Sequence, residues 1–128
     1  MATGFPATTG DVLSANMFNG LVTFTVNPQS GATYTIANVD VYQALVQLTN
    51  ASTKVVTIAP DSTLTAAATG TAITFLNTGA GLLTFAAGAG VTIVSAGAVS
   101  AAPTLGQHKT AVAIGTGANA YTIVGAIG

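Results

Sequence analysis

Phe75-Leu76-Asn77-Thr78-Gly79-Ala80-Gly81 is followed closely by Phe85-Ala86-Ala87-Gly88-Ala89-Gly90, and this echo decides how the chain is read. Each half is an aromatic-headed apolar run closed by Gly-Ala-Gly, and each leads into an aliphatic strand. β-Branched and aromatic residues fit the pleated, half-buried surface of a sheet. Glycine clusters punctuate such runs with turns. Two copies are fewer than the three or more that a solenoid needs. The stretch is therefore predicted to form two successive hairpins.

Outward from this centre the same period of two recurs. Leu21-Val22-Thr23-Phe24-Thr25-Val26 sets Val22, Phe24 and Val26 against Thr23 and Thr25. Asn27-Pro28-Gln29-Ser30-Gly31 reads as a turn cluster, and Thr33-Tyr34-Thr35-Ile36 alternates again. Further strands are predicted at residues 44–49, 54–59, 71–77, 82–86, 91–95, 109–114 and 120–125. Each is short and bounded by Gly, Asn, Pro or Asp. About nine strands spaced roughly 8–12 residues apart predict an all-β fold, an antiparallel sandwich or jelly-roll-like barrel.

Residues 1–20 read differently, as an arm and a short helix preceding a β domain at 21–128. Asp11 is a candidate N-cap, because its carboxylate can accept the free backbone N–H groups of a first helical turn. Leu13, Met17 and Leu21 fall at i, i+4 and i+8, and Gly20 is a natural stop. No Lys or Arg precedes an apolar run here, so no signal peptide is expected. Residues 79–102 are uncharged and long enough to span a bilayer as a helix. Gly79, Gly81, Gly88, Gly90 and Gly97 interrupt them, so strand-turn-strand is expected instead, and no membrane span.

Charge is the scarcest component. Only 4% of the 128 residues are charged, against about a quarter in ordinary domains. There are two Lys, three Asp, one His and no Cys, with a net charge of −1. Phosphate neutralisation dominates nucleic-acid affinity, and two lysines do not supply it, so no nucleic-acid partner is expected. Without Cys there are no disulfides, thiolate zinc sites or Cys nucleophile. Small side chains bury little area each, at roughly 25 cal/mol per Å². Low net charge favours association. A chain of this kind is expected to complete its burial by forming an oligomer.

The residues that carry chemistry elsewhere are isolated here. His108, between Gln107 and Lys109, is expected in a polar loop or strand entry. General-base catalysis needs an orienting partner and a nucleophile. Asp11, Asp40 and Asp61 are the only carboxylates. Paired carboxylates hydrolyse glycosides and a trio can hold Ca²⁺. Asp11 instead reads as a cap, and Asp40 and Asp61 as turn residues. Gly-Ala-Gly at 79–81 and 88–90 and Gly115-Thr116-Gly117 lack the following helix that a phosphate loop requires. No catalytic residue, cofactor or metal is expected, and the chain is not read as an enzyme.

Phe24, Phe75 and Phe85 lie in strand patterns and are expected in the core. Phe5 and Phe18 lie outside the β region. With Leu13 and Met17 they are the candidate anchors on a neighbouring subunit or another protein.

The stretches Gly31-Ala-Thr-Tyr-Thr-Ile, Leu48-Thr-Asn-Ala-Ser-Thr-Lys-Val-Val-Thr-Ile-Ala-Pro, Gly79-Ala-Gly-Leu-Leu-Thr-Phe-Ala-Ala-Gly-Ala-Gly-Val-Thr-Ile and Ile114-Gly-Thr-Gly-Ala-Asn-Ala-Tyr-Thr-Ile-Val-Gly resemble a β module of tailed-bacteriophage virion proteins. Tail fibres and head appendages carry such modules, and Gly10-Asp-Val-Leu-Ser-Ala-Asn-Met-Phe-Asn-Gly resembles their helical lead-in. The resemblance covers about residues 10–128 and is compositional, so it brings no catalytic residues. The chain departs from it in standing alone, in its Ala-rich 98–106 stretch, and in Tyr121 where Trp is frequent. What the resemblance implies is a separate virion subunit, a capsid decoration (cement) protein bridging coat subunits, commonly trimeric. A tail or head fibre module for host attachment is the alternative. Short strands set aside an outer-membrane barrel, whose strands run about 9–11 residues.

Overall fold

The computed structural model describes residues 24–41, 44–95 and 102–127. The predicted arm and helix at 1–20 therefore lie outside the described residues. The described residues form ten strands: β1 (Thr25–Gln29), β2 (Thr33–Thr35), β3 (Ala44–Leu48), β4 (Lys54–Ile58), β5 (Ala72–Asn77), β6 (Leu83–Ala87), β7 (Thr92–Ser95), β8 (Thr104–Leu105), β9 (Lys109–Gly117) and β10 (Ala120–Gly125). A 3₁₀ turn at Asn38–Val41 joins β2 to β3. One sheet runs β1-β3-β5-β9-β10-β7, the other β2-β4-β6-β8. No helix of the described residues is long and apolar enough to cross a membrane.

The alternation predicted from sequence sets which side chains face inward. In β4, Lys54, Val56 and Ile58 are buried while Val55 points out. In β3 the buried set is Ala44, Val46 and Leu48, and in β5 it is Ile73, Phe75 and Asn77. Successive side chains on a strand leave opposite faces, so each sheet presents one apolar face. The two faces meet in a core that holds Val46, Phe75 and Ile123 from one sheet and Val56, Leu83 and Phe85 from the other.

Pairing corrects the antiparallel expectation. Strands β1, β3 and β5 run parallel in one sheet, and β2, β4 and β6 run parallel in the other. Leu45 pairs with Thr74 and Lys54 with Leu83, each 29 positions further along the chain. The repeating unit is thus strand, corner, strand, with its two strands in different sheets. Between the named strands, antiparallel pairing enters only where β9 returns against β5, β10 against β9, and β8 against β6. The predicted hairpins at the Phe75 and Phe85 stretches do not form, because the corner after Asn77 carries the chain across the core.

Close stacking of corners explains the glycines. A Cβ on Gly79 would lie 2.0 Å from the carbonyl oxygen of Asn50, and one on Gly81 would lie 1.9 Å from that of Ser52. The corner after β5 therefore nests directly on the corner after β3, and only glycine permits the approach.

Three further expectations change. Pro28, read as part of a turn, lies inside β1; that strand is a sheet edge, where a missing N–H costs no ladder bond. Phe24, read as core, is 52% exposed. It precedes the same edge strand, beside which the described residues place no further rung. The two-residue strand β8 was not predicted, being too short to show a period.

Candidate functional site

Strand directions give the molecule two opposite edges. One edge, here the corner edge, holds the ends of β3 and β5 and the starts of β4, β6 and β9. The other, the return edge, holds the starts of β3 and β5 and the ends of β4 and β9. Lys54, His108 and Lys109 all lie at the corner edge. Asp40 and Asp61 both lie on connections of the return edge, after β2 and after β4. The described residues therefore separate their bases from their acids along the strand direction.

Lys54 is 1% exposed although it begins a strand. Its Nζ donates to the carbonyl oxygens of Asn50 and Gly81, both at 2.7 Å. Buried Asn77 donates from Nδ2 to Gly81 and Leu105 carbonyls, both at 2.9 Å. These two side chains bind three corners from inside, which satisfies carbonyls that a turn leaves without ladder partners. Burial pushes the Lys54 pKa below its ordinary value. Asn77 Oδ1 is buried without a hydrogen-bond partner.

Asp40 lies in the 3₁₀ turn, as its turn-like sequence predicts, but it is fully buried, and its partners explain why. Its Oδ2 accepts from the Tyr34 hydroxyl at 2.6 Å and the Ala37 N–H at 2.9 Å, and its Oδ1 from Asn27 Nδ2 at 2.8 Å. Asn27 Nδ2 also lies 3.0 Å from the Tyr34 oxygen. Since Asn27 is in β1 and Tyr34 in β2, one carboxylate ties the two sheets together at the first rung. Burial, then the hydrogen bond and charge of Asp40, push the Tyr34 pKa up to about 12.

Asp61 is in a turn, as the Pro60-Asp61-Ser62 sequence predicts, but it also has a specific partner. Its N–H donates to Asn119 Oδ1 at 2.8 Å, and its Oδ2 accepts from the Asn119 N–H at 2.9 Å. Ala118-Asn119 is the two-residue loop between β9 and β10, and Asn119 holds a left-handed φ of 50°. Asn is one of the few residues that accept this conformation. Asp61 and Tyr121 line a cleft of about 240 Å³, together with Ala68, Thr69, Gly115, Gly117 and Ala118. Burial and then the Asp61 charge raise the Tyr121 pKa. The lining thus holds one carboxylate, two hydroxyl-bearing side chains and no basic side chain.

His108 is exposed in the turn before β9, and its N–H donates to the Asn77 carbonyl at 2.6 Å. It sits at the opposite edge from Asp40 and Asp61, so the imidazole meets neither carboxylate of the described residues. Among the described residues no three His, Cys, Asp or Glu side chains converge as a metal site. The glycines at 79–81 and 88–90 each lead into a further strand, and those at 115 and 117 lie within β9. Anchor candidates Phe5, Leu13, Met17 and Phe18 and the cap candidate Asp11 lie outside the described residues.

Sequence reading missed Lys54, Asn77 and Asn119. A signal for Lys54 exists: it shares the inward parity of Val56 and Ile58. For Asn119 the signal is an Asn in a short loop between two strands. No family model, curated protein or solved structure matches the chain.

Proposed function

We propose that this chain is a structural subunit of a bacteriophage virion, a head decoration (cement) protein that bridges coat subunits. The observation that carries the reading is the fate of its few charges. Asp40 and Lys54 are spent on internal hydrogen bonds, leaving Asp61, His108 and Lys109 as the only other charged or imidazole side chains among the described residues. Such an inventory suits packing and association, not catalysis. Its compositional resemblance to virion β modules supports the same reading. The body is a two-sheet sandwich of stacked strand-corner-strand units, and its copies form a homo-oligomer, a trimer in the simplest case.

The mechanism is mechanical. Each copy binds assembled coat and not dissociated coat, so it stabilises the shell by mass action. An oligomer engaging several coat subunits at once multiplies the effect. Heating particles with and without the protein tests this: decorated heads burst at a higher temperature, and equal bursting temperatures overturn cementing.

A second reading, a tail or head fibre module for host attachment, is favoured by the parallel stacking itself. Units stacked in register extend along one axis by repetition, as in solenoids. Binding of the purified protein to host cells supports that reading over the first, and its absence removes it.

A further inference from the structure

We infer that copies of this chain associate edge to edge, with the Lys109 ammonium of one copy seated in the Asp61 cleft of the next. The inference rests on the self-association in the proposed function and supplies its contact and direction.

The described residues hold two carboxylates and two lysines. Of two carboxylates, Asp40 is buried and committed to Tyr34, Ala37 and Asn27. Of two lysines, Lys54 is buried and committed to Asn50 and Gly81. One acid and one lysine remain at the surface. Asp61 lines the return-edge cleft, where its Oδ2 accepts from the Asn119 N–H. Lys109 is exposed at the corner edge, its stem lying over Gly106.

The two cannot meet within one chain. β9 separates Lys109 from Gly115 in the cleft lining, and six strand steps span about 20 Å. That is longer than a lysine side chain reaches. Between two copies in the same orientation, however, the corner edge of one faces the return edge of the other, and the charges become complementary.

The cleft suits an alkylammonium. Asp61 supplies the charge, the Tyr121 and Thr69 hydroxyls supply acceptors, and Ala68 and Ala118 supply methyl groups for the stem. No lining side chain is basic. Lysine side chains commonly bury an apolar stem while the head finds a polar partner. One ion pair contributes little on its own, so its part is to set register. Exposed Leu82 at the corner edge and Val39 at the return edge provide apolar area beside it. The contact is heterologous, so it closes into a ring, such as a trimer, or propagates as a filament.

Zero-length cross-linking of the full chain with a water-soluble carbodiimide, followed by peptide mass spectrometry of the oligomer band, tests the contact. An Asp61–Lys109 isopeptide between copies is expected. In sedimentation, Asp61→Asn and Lys109→Gln should each weaken association several-fold, with circular dichroism unchanged. Asp61→Asn keeps an oxygen for the Asn119 N–H, so the loop clamp survives. Combining Asp61→Lys and Lys109→Asp in one chain should restore association that either reversal alone abolishes. An oligomer whose links join other residues, and which both neutral variants leave intact, overturns this contact while keeping the oligomer. A chain that stays monomeric at all concentrations overturns both.

Discussion

The ring of Phe75 in β5 meets the ring of Phe85 in β6 edge-on, with centroids 5.0 Å apart and planes at 73°. Both are fully buried, and they belong to different sheets. The contact therefore fastens the two sheets across the core, from a single strand-corner-strand unit. Truncating either ring to Ala costs about 3–5 kcal/mol. A double-mutant cycle by urea denaturation should give a coupling of about 0.5–1.5 kcal/mol beyond the two single effects. Additive single effects would contradict the contact.

The corner glycines give a sharper contrast. Gly79→Ala and Gly81→Ala each push a methyl group into the backbone of the neighbouring corner, 2.0 and 1.9 Å from carbonyl oxygens. Such a clash has no flexible side chain to yield, so each variant loses several kcal/mol, toward the severe end of point mutations. Gly117→Ala meets nothing within 4 Å and changes stability by less than about 0.5 kcal/mol. Thermal melts of the three variants check the ranking.

What was legible in the sequence divides along a physical line. Alternation told which residues face inward, so β2, β3, β4, β5, β6, β7 and β10 fall where predicted to within a residue or two. Alternation says nothing about which strand lies beside which. The echo that drew attention links Phe75 to Phe85, ten positions on, and those residues face each other across the core. The stacking spacing, from Val46 to Phe75 and from Val56 to Phe85, joins unlike residues and leaves no echo to notice. The burial of Asp40 and Lys54 was not legible, because their partners, Tyr34, Asn27 and the Gly81 carbonyl, come from other elements. The Asp61–Asn119 clamp spans 58 positions, beyond any local pattern.

Alkaline titration should show two opposed slopes. Lys54 has a folded pKa below its ordinary 10.5, so between the two values the unfolded chain holds the proton more and stability rises with pH. Tyr34 has its pKa raised from 10.0 to about 12, so stability contributed below pH 10 is lost as pH climbs through about 12. Lys54→Met should remove the rise. Tyr34→Phe should shrink the fall, with Tyr121 supplying what remains. Urea midpoints measured across pH 8 to about 12 check both signs; a Lys54→Met protein that keeps the rise would contradict the buried ammonium.

From the sequence, Phe5 and Phe18 are candidate anchors on a neighbouring subunit or another protein, and a substitution tests that role. Replacing both by Ala should lower the number of copies per particle while leaving the melting temperature of the purified full chain unchanged. Quantitative gel densitometry of purified particles measures the first and calorimetry the second. Unchanged occupancy removes the anchor role.

The central claim, a virion subunit that acts by association, is tested most directly by immunogold labelling of intact particles from the parent lysate with an antibody to this chain. The account predicts gold spread over the head. Gold confined to the tail would shift the role to a fibre or attachment module. No gold on any particle would contradict the claim outright.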